Sequence, residues 1–112
     1  MLRDETIARV VKFRDDRNWR QFHTPKDLAL SMTLEAAELL EVFQWSGTDL
    51  ECRDKQDKIR EELADVLSYC ILMADVCGLD LDEIMNAKVD KNEAKYPADK
   101  AWGSAAKYTE LT

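Results

Sequence analysis

Hydrophobic positions recur along the chain at intervals of three and four residues, which predicts amphipathic helices joined by short connections. The first helix is predicted over residues 4–17 and is followed by a loop over 18–23. A second helix is expected to begin at Thr24-Pro25, because a threonine hydroxyl caps free amides and proline suits the first helical position. Its apolar stripe continues to the neighbourhood of Gln44.

The third helix has the clearest apolar stripe, and Gly78 supplies its C-terminal stop. A fourth helix is predicted to begin at Asp80 and to end before Pro97, which cannot continue it. The pattern therefore predicts an all-α fold, with a four-helix domain over residues 1–97. Residues 98–112 are expected to form a tail that is either docked or partly disordered.

Charge and composition exclude several classes of protein. The 112 residues include 16 Lys+Arg and 23 Asp+Glu, and this acidic balance without a basic run argues against a nucleic-acid polymer as partner. The longest stretch without a charged side chain is the nine residues 66–74, about half of a membrane span. Residues 1–20 are charged throughout and lack the apolar core of a secretory signal, so a cytoplasmic location is expected.

The three cysteines show no CxxC spacing, which favours reduced thiols over a disulfide framework or a zinc site. Cys70 and Cys77 stand seven residues apart on the third helix and are expected to be small buried side chains. A chain of this length can bury a single core but hardly two, so oligomerisation would help to stabilise it.

Two acidic pairs are candidates for a metal site: Glu35 with Glu38 on the second helix, and Glu62 with Asp65 on the third. Residues three apart share a helix face. The chain contains seven such acid pairs, but these two are embedded in apolar stripes. Carboxylates near a core repel one another unless a cation lies between them. Ligands that are all oxygen atoms favour Mg²⁺, with Mn²⁺ as a substitute, and such a site indicates phosphate chemistry. The alternative is that these acids form a solvated helix flank without a metal.

Further candidates surround these pairs. Tyr69 lies one turn beyond the third-helix pair and either lines a pocket or packs. Trp19 and Trp45 either provide aromatic walls for a base or fill the core. Lys88 and Asn92 stand four residues apart on the fourth helix. The ammonium of Lys88 could bind a phosphate, and the amide of Asn92 could bind a sugar or a base. The alternative is that both are ordinary surface residues.

Four segments carry a resemblance that no single motif carries. In chain order they are Trp19-x-x-Phe22-His23-x-Pro25, Glu35-x-x-Glu38 with Phe43-Gln44-Trp45, Glu62-Leu63-x-Asp65-Val66-Leu67, and Lys88-x3-Asn92-x3-Tyr96-Pro97. Together they resemble the MazG-like nucleotide pyrophosphohydrolase family, and within it the dCTP pyrophosphatase branch. The resemblance implies an all-α fold and a homodimer or dimer of dimers. It also implies Mg²⁺-dependent hydrolysis of a nucleoside triphosphate, dCTP or a modified dCTP above all, to the monophosphate and pyrophosphate.

Carried over to this chain, the resemblance makes Glu35, Glu38, Glu62 and Asp65 the metal ligands, with Glu35 or Glu38 orienting the attacking water. It implies a substrate pocket of Trp19, His23, Trp45, Tyr69, Lys88 and Asn92. The chain departs from the family pattern at Leu34 and Ala37, where relatives often have glycine, and at Lys95, where arginine is common. Two alternatives are a related phosphohydrolase acting on another nucleotide such as dUTP, and a non-catalytic acidic helical interaction module.

Overall fold

The computed structural model describes residues 2–111, and every regular element in that range is a helix. The helices are α1 (Asp4–Asp16), α2 (Pro25–Glu41), α3 (Gln56–Cys77), α4 (Leu81–Lys95) and the short α5 (Ala98–Ala101), with single 3-10 turns at Arg20–Phe22, Arg53–Lys55 and Tyr108–Glu110. Residues 2–111 contain no β-strand, so the predicted all-α fold is confirmed. Within the same range, no helix combines the length and hydropathy that crossing a bilayer requires.

The predicted helix starts are confirmed by their hydrogen bonds. The Thr24 hydroxyl accepts from the backbone N–H of Asp27 at 3.1 Å, directly before α2. The carboxylate of Asp80 accepts from the backbone N–H of Glu83 at 3.0 Å, directly before α4. Each cap satisfies an amide that has no partner within the first helical turn. The end of α2 differs from the prediction, since the helix stops at Glu41 and continues as turns.

Gly78 ends α3 in the left-handed conformation, with φ of +66°. We expect Gly78→Ala to lower the free energy of unfolding by about 1 kcal/mol, because an L side chain strains this backbone conformation. An added Cβ would meet no atom within 4 Å, so steric clash would not contribute. Gly78→Asn is the matched control and should cost less, since asparagine tolerates this conformation. Urea unfolding compares the three proteins, and equal stability of all three would contradict the expectation.

Helix α3 packs against both α2 and α1. Cys70 Sγ lies 3.9 Å from Met32 Sδ, while the ammonium of Lys55 lies 3.2 Å from the carbonyl oxygen of Val42. Residue numbers therefore rise along α2 as they fall along α3, so the two helices run antiparallel. This arrangement sets the acidic face of α2 opposite that of α3.

The core is small and includes two charged side chains. The buried residues are the apolar Leu28, Val42, Cys52, Ile71, Leu72 and Ala74, together with Arg14 and Glu62. The Arg14 guanidinium joins α1 to α3 by donating to Asp75 at 2.7 Å, and it also donates to Asp15 at 2.9 Å. Burial by itself would lower the pKa of Arg14, but these two carboxylates outweigh it and the pKa is raised.

The three cysteines differ in burial. Cys52 is buried and Cys70 is half-buried, whereas Cys77 is exposed. The prediction of a buried Cys77 is therefore wrong. Cys77 is the last residue of α3, where the stripe that places Ile71 and Ala74 in the core comes to its end.

The chain forms two compact units, one ending at Gly78 and the other beginning at Leu79. In the second unit, the rings of Tyr96 and Tyr108 meet edge to face with centroids 6.0 Å apart. The ammonium of Lys95 lies 5.0 Å from the centroid of the Tyr108 ring. These contacts join the end of α4 to the following segment, which contains α5. The domain boundary at residue 97 stays a prediction.

Candidate metal centre

Four carboxylates from α2 and α3 converge between the two helices. Glu35 and Glu38 come from α2, and Glu62 and Asp65 come from α3. One oxygen of each lies within 4.8 Å of the chosen oxygens of the others. The convergence follows from two i,i+3 pairs facing each other across the antiparallel helix pair.

The burial of these carboxylates is uneven. Glu62 is only 7% exposed and Glu35 is half-buried, whereas Glu38 and Asp65 are exposed. One oxygen each of Glu35 and Glu62 is buried without a hydrogen-bond partner in the described structure. Among the described residues, the cation within 4.0 Å of the four is Lys58, whose ammonium lies 3.6 Å from a Glu62 oxygen, too far for a hydrogen bond.

This donor set fits a hard divalent cation. A buried carboxylate oxygen without a partner costs at least about 1–3 kcal/mol, and converging like charges add repulsion. A cation among the four carboxylates would remove both costs, and oxygen-only ligands suit Mg²⁺ or Mn²⁺ better than softer metals. Glu35, Glu38, Glu62 and Asp65 are thus the residues that could hold a metal ion.

On one side of the four carboxylates lies a cavity of about 450 Å³, here called the aromatic pocket. Trp19, His23 and Tyr69 line it together with Asp65, so three predicted substrate-binding residues share a cavity with a predicted metal ligand. Phe13 also lines the pocket, and its ring meets that of Trp19 edge to face at 5.7 Å.

The aromatic pocket favours the neutral form of the His23 imidazole. Burial lowers the pKa of its imidazole, and the positive charge of Arg14 lowers it further. The Nδ1 atom of His23 is buried and has no hydrogen-bond partner among the described residues. A neutral imidazole has one donor and one acceptor nitrogen, which suits the edge of a nucleobase.

On the other side lies a cavity of about 540 Å³, here called the lysine pocket. Its lining residues are Glu38, Glu41, Val42, Lys55, Lys58 and Glu62. The sequence analysis did not single out Lys55 or Lys58. A signal was present for Lys58, which stands four residues before Glu62 on the same helix face.

The remaining predicted site residues lie elsewhere in the chain. Trp45 follows the end of α2 and is 88% exposed, so it does not fill the core. Lys88 and Asn92 are exposed and lie one turn apart on α4, in the second unit. Phe13 and Ser68 also line the aromatic pocket, and the sequence analysis did not single them out. Ser68 could have been found, because it is a polar residue three positions after Asp65 on the same face of α3.

Comparison with known proteins agrees with the helical fold. A MazG-like family model matches residues 30–111. The mouse and human proteins named dCTP pyrophosphatase 1 are 38% and 40% identical to this chain over 96% of its length. The chain spans 66% of the length of each of these two relatives. A crystal structure of a pyrophosphatase from Archaeoglobus fulgidus, 42% identical, superposes with a TM-score of 0.77 over 84% of this chain and 91% of that one.

Proposed function

The chain belongs to the MazG-like family, and from this premise we propose that it is a Mg²⁺-dependent nucleoside triphosphate pyrophosphohydrolase. Its preferred substrate in this proposal is dCTP or a modified dCTP, which it hydrolyses to the monophosphate and pyrophosphate. The proposal is carried by the four converging carboxylates, two of which keep a buried oxygen without a hydrogen-bond partner among the described residues. The dCTP pyrophosphatases among its relatives support the choice of base.

In this proposal Glu35, Glu38, Glu62 and Asp65 hold the metal. When bound, Mg²⁺ neutralises the triphosphate and polarises the α-phosphorus, and Mn²⁺ is the expected substitute. Glu35 or Glu38 orients the attacking water and accepts its proton. Glu38 is exposed and could reach a water directly, whereas the buried Glu35 oxygen has no hydrogen-bond partner in the part of the chain that the structure describes.

The aromatic pocket would hold the nucleoside. Stacking of a base on an aromatic side chain contributes roughly 1–3 kcal/mol, and Trp19 and Tyr69 supply such faces. The neutral imidazole of His23 would contact the polar edge of the base. We also assign Trp45, Lys88 and Asn92 to substrate binding, on the strength of the family resemblance alone.

We further propose assembly as a homodimer or dimer of dimers. The support is a set of leucines on α2 and α3 that stay largely uncovered in the single chain: Leu30, Leu34, Leu63 and Leu67, each 43–66% exposed. Contiguous exposed apolar surface is typical of protein interfaces. A cytoplasmic location remains part of the proposal.

Product analysis by anion exchange tests the proposed reaction. The protein is incubated with dCTP, 5-methyl-dCTP, dUTP, dATP, dGTP, TTP and CTP, in Mg²⁺ and in EDTA. We expect the monophosphate and pyrophosphate in Mg²⁺, with the fastest turnover for deoxycytidine nucleotides, and no products in EDTA. Release of orthophosphate with the diphosphate would contradict the cleavage position. A folded, Mg²⁺-replete protein that turns over none of the seven would refute the enzymatic proposal.

A further inference from the structure

The candidate metal centre lies between two cavities of different chemistry. Asp65 lines the aromatic pocket, whereas Glu38 and Glu62 line the lysine pocket. All three belong to the cluster of four carboxylates, in which one oxygen of each residue lies within 4.8 Å of the chosen oxygens of the others. A molecule held at these carboxylates therefore has the aromatic pocket, which Arg9 and Arg14 also line, on one side and the two lysines of the lysine pocket on the other.

The two lysines of the lysine pocket are Lys55 and Lys58. The ammonium of Lys55 donates one hydrogen bond, at 3.2 Å, to the carbonyl oxygen of Val42 just after α2. An ammonium has three donors, so this bond fixes the position of the charge and leaves two donors for another acceptor. The Lys58 side chain is 63% exposed, and its ion pair within the described range is the long 3.6 Å contact with Glu62, so its donors can turn towards a bound anion.

The charge of the lysine pocket depends on the carboxylates. Glu38, Glu41 and Glu62 face the two ammonium groups, so the pocket without a metal carries one excess negative charge. A divalent cation at the four carboxylates of the candidate metal centre would offset part of that negative charge. Phosphate oxygens would then meet two lysine ammonium groups, which bind phosphate as point charges.

We propose that Lys55 and Lys58 bind the β- and γ-phosphates of the substrate and the pyrophosphate that leaves. This inference rests on the proposed function. In that reaction the water oxygen forms a bond to the α-phosphorus, and its proton passes to Glu35 or Glu38. The bond from the α-phosphorus to the bridging oxygen breaks, and its electron pair stays on pyrophosphate. The two ammonium groups stabilise the charge that develops there.

Binding of inorganic pyrophosphate, measured by isothermal titration calorimetry in Mg²⁺, tests the assignment without turnover. Lys58→Gln and Lys55→Gln are each expected to weaken binding about tenfold, and the double variant about 100-fold, as for a lost charge-assisted contact. Lys26→Gln is the matched control, since Lys26 is exposed on α2 and lines neither pocket. Binding of dCMP should be unchanged in all variants, because dCMP lacks the β- and γ-phosphates that the lysines are proposed to bind.

A purely structural role as counter-ions of the carboxylates makes a different prediction. It would change urea stability but leave pyrophosphate affinity as in the wild type, and that result would overturn the inference. Because Lys55 also bonds to Val42, Lys58→Gln alone decides the question if the Lys55 variant does not fold.

The inference and the proposed function fail in different ways. Wild-type hydrolysis of dCTP, together with unchanged pyrophosphate affinity in Lys58→Gln and in the double variant, would overturn the lysine assignment alone. Lysine-dependent binding of pyrophosphate without turnover of any nucleotide would support the phosphate site and refute the proposed function.

Discussion

Glu62→Gln is expected to reduce hydrolysis of dCTP roughly 100-fold or more, the scale seen when a group that stabilises transition-state charge is lost. Glu62 is the most buried of the four carboxylates, and its Oε2 has no hydrogen-bond partner among residues 2–111. Glutamine has nearly the same shape, but it replaces an anionic oxygen by an amide that cannot serve as an anionic metal ligand. Initial rates at saturating Mg²⁺ measure the effect.

Glu61→Gln is the matched control for this experiment. Glu61 is the neighbouring residue on α3, is exposed, and lies outside the four-carboxylate centre. Its amide variant should keep the wild-type rate. Full activity of Glu62→Gln, or an equal loss in both variants, would contradict the assignment of Glu62.

Thermal unfolding of the same variants separates metal binding from catalysis. Mg²⁺ at 100 times its dissociation constant should stabilise the wild type by about 2.7 kcal/mol, because it binds the folded chain alone. Glu62→Gln should lose most of that increase. In EDTA the variant should melt no lower than the wild type, since it carries one fewer of the four repelling charges. A wild-type Mg²⁺ response in the variant would remove Glu62 from the metal site.

Asp75→Ala is expected to destabilise the fold by about 2–3 kcal/mol, the second large effect. Breaking a buried ion pair typically costs about 3–5 kcal/mol, because the remaining charge stays buried without its partner. Arg14 is only 1% exposed and would keep only Asp15. We expect about 2–3 kcal/mol rather than 3–5 kcal/mol because Asp75 is one-third exposed, so water can reach the space that its side chain leaves.

Asp16→Ala is the control for Asp75→Ala. Asp16 pairs with Lys12 at 2.6 Å on the solvent-facing side of α1, and both side chains are more than half exposed. Pairs of this kind contribute about 0–1 kcal/mol. Urea unfolding of both variants gives the comparison, and similar losses would show that the Arg14 contact does not join α1 to α3 as argued.

The hydrogen bond between Arg14 and Asp15 makes the stability of the fold depend on pH. A hydrogen bond from Arg14 lowers the pKa of Asp15 below its ordinary value of 3.8, against a smaller opposing effect of desolvation. A depressed pKa in the folded state stabilises the fold above the ordinary value. This contribution is lost as the pH falls through the folded-state pKa, so Asp15→Asn should flatten the acid limb of the stability curve below about pH 4.

Local sequence pattern was sufficient for the four long helices, apart from the end of α2, and for the choice of acidic pairs; it did not predict the short α5. A threonine followed by proline, a glycine after an apolar stripe, and residues three apart on a helix act within a few residues of one another. The α2 and α3 pairs were selected because apolar residues flank them, and their oxygens do meet in the structure. The assigned metal-binding and catalytic roles of Glu35, Glu38, Glu62 and Asp65 stay predictions.

The direction of each side chain depended on how the helices pack. Glu62 faces inward towards α2, while its apolar neighbours Leu63 and Leu67 remain 46% and 43% exposed, the reverse of what hydrophobicity alone implies. Arg14 of α1 is buried, and its charge is satisfied by Asp75, 61 residues later. The two cavities beside the carboxylates likewise join residues from separate elements. Side-chain periodicity is a local property, whereas burial and pairing are set by contacts between distant segments, so only the packed chain shows them.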